Sequence, residues 1–144
     1  IFGHNSRLDT VQAAIGLKML DKLDNLTKIR RRNAKMYDES LKAIKQISIP
    51  IRDKDIIQNF QLYSFLCQDR DKLIRYLNRF GIDAKIHYPK PMHLQKPCIK
   101  NNYHKGKFEN AIKIAKNIIS LPVHEYVSKK DIEFVIKKIK NFYN

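Results

Sequence analysis

The feature that most restricts this chain is a long helical rhythm near its N-terminus. Leu8, Val11, Ile15, Met19, Leu23, Leu26 and Ile29 recur at spacings of three, four and seven, and the pattern continues through Met36, Tyr37 and Leu41 to about Ile44. A globular helix usually runs for roughly 8–20 residues, so this one is expected to bend or break, near Asn33. Ser6 and Asp9 read as an S-x-x-D capping box, with the Ser6 hydroxyl accepting from the N3 amide. Ala13, Ala14 and Gly16 leave one early stretch almost bare, which permits another backbone to come close.

The remainder mixes strands and helices. "ISIP" is a short strand stopped by Pro50, "NFQLYSFLC" (59–67) is an aromatic strand, and "IDAKIHY" (82–88) is another strand, ended by Pro89. "DRDKLIRYLNRFG" is a helix capped by Asp69 or Asp71 and closed by Gly81. "PKPMHLQKP" (89–97) reads as an extended loop, because its prolines fix φ and remove donors. Helices are expected over 107–120 and 128–143, the second with a capping box from Ser128 to Asp131, and "LPVHEY" links them. The expected fold is α+β: a helical region over 1–45, then a unit over 46–144. The latter holds an antiparallel sheet from roughly 46–50, 60–67 and 84–88, with helices on one face. Phe60, Leu62 or Tyr63, and Phe65 should enter its core.

Bulk properties narrow the function. With 144 residues and 43% hydrophobic content the chain can bury a core. No apolar run reaches the 18 or so residues of a membrane span, and no signal peptide is visible. Cys67 and Cys98 lack the spacing of a zinc site or disulfide framework, and two lone thiols fit a cytoplasmic protein. The formal charge of +15 makes nucleic acid the obvious partner to test. Yet the basic clusters, such as "KIRRR" (28–32) and "IKKIK" (136–140), are short and lack interleaved aromatics. The charge therefore reads as solvated faces, and no nucleic acid is expected.

No GxGxxG, P-loop, GxSxG or HExxH is present. Two polar sites stand out instead. Asn5, Ser6 and Arg7 lie at a helix mouth, where free N–H groups, the helix dipole and a guanidinium suit a phosphate or carboxylate; an ordinary capping turn is the plainer reading. His87 and Tyr88 end a strand before a rigid proline turn and His93, a position suited to lining a cleft; a histidine that merely bonds to backbone is the alternative. The spacing of His87, His93 and His104 matches no usual metal pattern.

Three blocks add to this reading: "GHNSRLDTVQAAIGLKMLDKLD", "NRFGIDAKIHYPKPMHLQKP" and "FENAIKIAKNIISLPVH" followed by "KKDIEFVIKKI". Together they resemble the C-terminal portion of the DegT/DnrJ/StrS nucleotide-sugar aminotransferases, in order and spacing, from Gly3 to about Ile139. The resemblance implies the small domain of the aspartate-aminotransferase fold (fold type I) and pyridoxal 5'-phosphate (PLP) as cofactor. It implies a homodimer with shared active sites, and transfer of an amino group, typically from glutamate, to a keto-sugar nucleotide for cell-surface polysaccharide or amino-sugar synthesis. By the same match Asn5 reaches the PLP phosphate of the neighbouring subunit, Arg7 lies by the shared site, and His87 and Tyr88 lie beside the nucleotide-sugar pocket. The chain departs from many relatives at Phe60-Gln61, where they carry Tyr-His, at Glu125, where they carry Pro, and in "KPCIK".

The resemblance also implies that the large domain and the Schiff-base Lys lie upstream. No Lys here matches the catalytic one, so the chain by itself is expected to be inactive. Beside the aminotransferase reading stand a basic nucleic-acid-binding domain and a non-catalytic regulatory or partner-binding derivative of the same fold.

Overall fold

The computed structural model describes residues 6–144. Helix α1 (Thr10–Leu20) is capped by Asp9, whose carboxylate accepts from the Gln12 amide at 2.8 Å. The cap therefore falls three residues beyond Ser6: Ser6, Arg7 and Leu8 are not helical, and Asp9 serves as N-cap rather than as N3.

The expected break also moves. The chain leaves α1 at Asp21–Lys22, where the Lys22 amide bonds back to the Met19 carbonyl at 3.1 Å, and α2 (Leu23–Leu41) then runs unbroken through Asn33. An asparagine usually weakens a helix by competing for its own backbone. Here the side-chain amide donates outward, toward the carbonyls of Val123, His124 and Val127 at 3.2–3.3 Å. The helix keeps its own ladder.

Three antiparallel strands follow the order β1 (Ile47–Ser48), β2 (Tyr63–Cys67), β3 (Ile118–Leu121). The third strand is not 84–88. That segment meets the sheet only through Lys85 and Ser120, which exchange two backbone bonds of 3.0 and 2.8 Å. The expected helix over 107–120 ends early, as α5 (Glu109–Asn117), and its last apolar residues become β3. Ile118 and Ile119 are β-branched and fit a pleated surface beside β2. The proline loop is also less extended than expected. A turn of 3-10 helix spans Met92–Leu94, and α4 (Lys96–Lys100) carries Pro97 in its first turn, where a missing N–H costs nothing.

Helix α3 (Arg70–Arg79) follows Asp69 and ends before Gly81, whose φ of +73° suits a residue without a Cβ. Helix α6 (Lys129–Tyr143) opens on the expected capping box. The Asp131 amide donates to the Ser128 hydroxyl at 3.2 Å, and the Ser128 amide donates to the Asp131 carboxylate at 2.9 Å.

Strand alternation separates the two faces of the sheet. Tyr63, Phe65 and Cys67 of β2 with Ile119 and Leu121 of β3 form the core face. Against it lie Tyr37 and Leu41 of α2, Leu73 and Leu77 of α3, and Ile132, Val135, Ile136 and Ile139 of α6. Tyr63 takes the core position, Leu62 is exposed and Phe60 packs half-buried at the margin. Tyr37 stacks on Tyr63 at 4.7 Å, while the Tyr63 hydroxyl donates to Asp38 at 2.7 Å. Burial and, next, the Asp38 bond push the Tyr63 phenol well above its ordinary pKa. Ser64, Ser120 and Ile118 occupy the opposite face, where the Ser64 and Ser120 hydroxyls meet at 2.7 Å.

Candidate functional site

The second face of the sheet carries the candidate site. The Lys85–Ser120 pairing lays the 84–88 segment beside β3, and Pro89 and Pro91 then turn the chain away, so that His87 and Tyr88 stand at the exit. His87 is half-buried, and its Nδ1 is buried without a hydrogen-bond partner; Tyr88 is 77% exposed. A buried imidazole nitrogen left unpaired is costly, and marks a place where a ligand atom or water is expected.

His87 forms a common wall between two unlike cavities. One, of about 510 Å³, is lined by Tyr88, Pro91, Met92, Ile114 and Ile118. The other, of about 200 Å³, is lined by Gln61, Lys85, Ser120 and His124. The first is apolar and the second more polar, with Asp83 but also Leu62, Leu121, Pro122 and Val123 in its lining, an arrangement suited to a ligand with a flat hydrophobic end and a hydroxylated end. His93 does not join them. It is buried and stacks on Phe108 at 4.4 Å, which makes it a packing residue of its loop. Among the described residues no group of three or more His, Cys, Asp or Glu side chains could hold a metal ion.

Two lining residues, Gln61 and His124, were not singled out by sequence reasoning. His124 follows β3 as His87 follows the 84–86 segment, so a histidine at the end of an extended segment was the signal to use. Gln61 carried no signal beyond its departure from the family pattern. Glu125, another departure, pairs with Arg30, whose Nε and Nη2 both donate to its Oε2 at 2.9 and 2.8 Å. A bond from its own backbone N–H and these bonds from Arg30 hold the Glu125 carboxyl below its ordinary pKa.

The other polar site divides. Asn5 lies outside the described residues. Arg7 is exposed, just ahead of α1. Beside it lies the mouth of α1, where the Gln12 amide donates to the Asp9 carboxylate and the Ala13 amide to the Asp9 carbonyl. Arg7 and that helix mouth can meet one edge of an anion such as a PLP phosphate. They do not form a cup for it, and the Asp9 carboxylate opposes a second negative charge. The described residues therefore fit the edge of a cofactor site and not the whole. None of the residues of α1 is buried, although Val11, Ile15, Leu17 and Leu20 are apolar.

A three-stranded sheet with this helical cover recurs within solved aminotransferases. DesV of S. venezuelae, solved in complex with a ketimine intermediate, matches with a TM-score of 0.90 at 29% identity, over 99% of this chain and 38% of that one. The DegT/DnrJ/EryC1/StrS aminotransferase family model matches residues 1–140, and the chain belongs to that family, whose aminotransferases are PLP-dependent. Among curated relatives, the Pleiotropic regulatory protein of Geobacillus stearothermophilus is 33% identical over 99% of this chain and 39% of its own length. The UDP-2-acetamido-2-deoxy-3-oxo-D-glucuronate aminotransferase of Pseudomonas aeruginosa is 32% identical over 96% of this chain and 38% of its own length. The chain thus spans less than half the length of the relatives it matches.

Proposed function

We propose that this chain is the substrate-side part of a PLP-dependent aminotransferase that moves an amino group, from glutamate, to a keto-sugar nucleotide in cell-surface polysaccharide, including lipopolysaccharide, or amino-sugar synthesis. Family membership supports the reaction class, and the relative from P. aeruginosa, by its name, acts on a UDP-linked oxo-sugar. The observation that carries the substrate side is His87, with an unpaired buried Nδ1 where an apolar and a polar cavity meet. When bound, PLP supplies the electron sink for amino transfer. This chain's residues bind and orient: Tyr88 and the apolar cavity receive the nucleotide end, His87 holds the junction, and Arg7 meets an anionic group.

In this proposal the protein is a cytoplasmic homodimer with shared active sites, and Asn5 bonds to the PLP phosphate of the neighbouring subunit. Residues 1–45 are the helical link to a large domain that supplies the PLP-binding Lys, and residues 46–144 form the small domain. The α2 half of that link is anchored in the core by Tyr37 and Leu41. The chain alone does not turn over.

Mixed dimers test the assignment. Asn5→Ala subunits combined with subunits lacking the PLP-binding Lys should yield one site with both lesions and one intact site, restoring turnover. If Asn5 serves its own subunit, each site carries one lesion and turnover stays lost. Tight binding of PLP by this chain alone would also count against the proposal. A non-catalytic regulatory or partner-binding role is the second reading. The name of the G. stearothermophilus relative favours it, and it predicts a full-length protein that pairs with another subunit without turnover.

A further inference from the structure

We propose that His124 is a second specificity residue, contacting the sugar of the nucleotide-sugar substrate, and that α2 holds it in place through three side chains one turn apart. The inference rests on the aminotransferase reading above and deepens it.

The positioning device is a row on α2. Arg30, Asn33 and Tyr37 lie at helical spacing and all reach the 122–127 loop. Arg30 donates twice to Glu125, and the Asn33 amide donates to the carbonyls of Val123, His124 and Val127. The Tyr37 hydroxyl donates to the Pro122 carbonyl at 3.0 Å. Arg32 completes the row's geometry by donating to the Asn33 Oδ1 at 3.1 and 2.8 Å, which fixes which end of that amide faces the loop. Every residue from 122 to 125 is thereby tied by backbone or side chain to one rigid helix, and so is Val127. Yet the His124 imidazole takes part in none of these bonds. The loop is pinned while that side chain is left exposed at the polar cleft it shares with His87. A pinned backbone beneath a polar side chain that meets the Tyr126 ring, at 6.1 Å, and takes no part in the pinning is the arrangement binding residues require.

The cleft itself selects the ligand group. Its volume of about 200 Å³ lies below the roughly 300–1,000 Å³ of sites that take whole drug-sized ligands. It therefore suits one ring of a larger molecule whose other end occupies the neighbouring cavity. Its one ammonium, on Lys85, is already paired with Asp83 at 2.7 Å. What remains is hydrogen-bonding capacity with no further ammonium or guanidinium: two imidazoles, the Gln61 amide and the Ser120 hydroxyl, which also meets the Ser64 hydroxyl. That set recognises hydroxyls in preference to a diphosphate, which calls for unpaired cations. A sugar ring has the matching chemistry.

The test follows the two half-reactions of the full-length enzyme separately by single-turnover absorbance. His124→Ala should raise the substrate concentration needed for half-maximal rate with the keto-sugar nucleotide about tenfold, relative to that for glutamate. His124→Gln, which keeps a donor and an acceptor, should recover part of the loss. Inhibition by the free nucleoside diphosphate, which lacks the sugar, should change less than twofold. Arg30→Ala should shift the sugar half-reaction in the same direction, and the exchanged pair Arg30→Glu with Glu125→Arg should restore it. An unchanged sugar half-reaction in His124→Ala, an equal loss in both half-reactions, or a matching loss of diphosphate inhibition would each overturn the role of His124. A wild-type enzyme inert in the glutamate half-reaction would instead overturn the aminotransferase reading on which it stands.

Discussion

Helices α1 and α6 both carry many apolar residues, spread round the axis in α1 and gathered on one face in α6, and they meet opposite fates. In α6, Ile132, Val135, Ile136 and Ile139 are all buried against the sheet and its neighbours. In α1, Val11 is 70% exposed, Leu17 68% and Leu20 61%, and no residue is buried. Apolar side chains on a helix face say that something covers that face; they do not say that the same chain does. A segment whose large apolar residues stay in water adds nothing to the stability of the fold it adjoins. This chain therefore consists of a region that holds itself together and one that contributes only when something else packs on it.

That contrast can be broken at several points, and the largest effect belongs to the core. Phe65→Ala should cost about 3–5 kcal/mol in denaturant unfolding, because it empties a site between the sheet and three helices. A loss below about 1 kcal/mol would mean that β2 is not central. Asn33→Ala should cost about 1–3 kcal/mol, since it leaves buried carbonyls of the 123–127 loop without a donor.

The Arg30–Glu125 pair should be worth less, about 0.5–1 kcal/mol, because both side chains retain some contact with water. Its pH dependence has a definite sign. The folded Glu125 carboxyl titrates below its ordinary value, so its contribution is complete above the unfolded carboxylate pKa of about 4.3. It is lost as pH falls through the lower folded value. Urea midpoints of wild type and Glu125→Gln should therefore differ at pH 7 and converge toward pH 3. The smallest effect should be Ile15→Ser in α1, within about 0.5 kcal/mol for this chain. A cost above about 1 kcal/mol there would show that α1 already has a packing partner, and would erase the distinction between the two regions.

The same division separates what the sequence revealed from what it concealed. Helix α6 was legible because its cap, Ser128 with Asp131, and its apolar face lie within one segment. Helix α3 was legible between Asp69 and Gly81 from its apolar face alone, since Asp69 precedes it in the left-handed region and makes no side-chain cap bond. Strand β3 was not, because Ile118 and Ile119 extend the helical rhythm of α5 and become a strand only through pairing with Leu66 and Phe65. The continuity of α2 at Asn33 depends on carbonyls about ninety residues away, beyond any local pattern. At the candidate site, His87 and Tyr88 could be found as strand-end residues ahead of a proline turn. Gln61 and His124 join them only once three separate segments converge on one face.

The shared wall at His87 has a consequence for altering the molecule. The apolar cavity draws on Met92 of the proline loop and Ile114 of α5, whereas the polar one draws on Gln61 ahead of β2 and His124 beyond β3. The two sets share His87 and little else, so substitutions on one side leave the scaffold of the other in place. If the proposed nucleotide-sugar substrate lies across both cavities, preference for the nucleobase and preference for the sugar become separable traits, open to independent retuning by selection or by an engineer as long as the imidazole between them is kept.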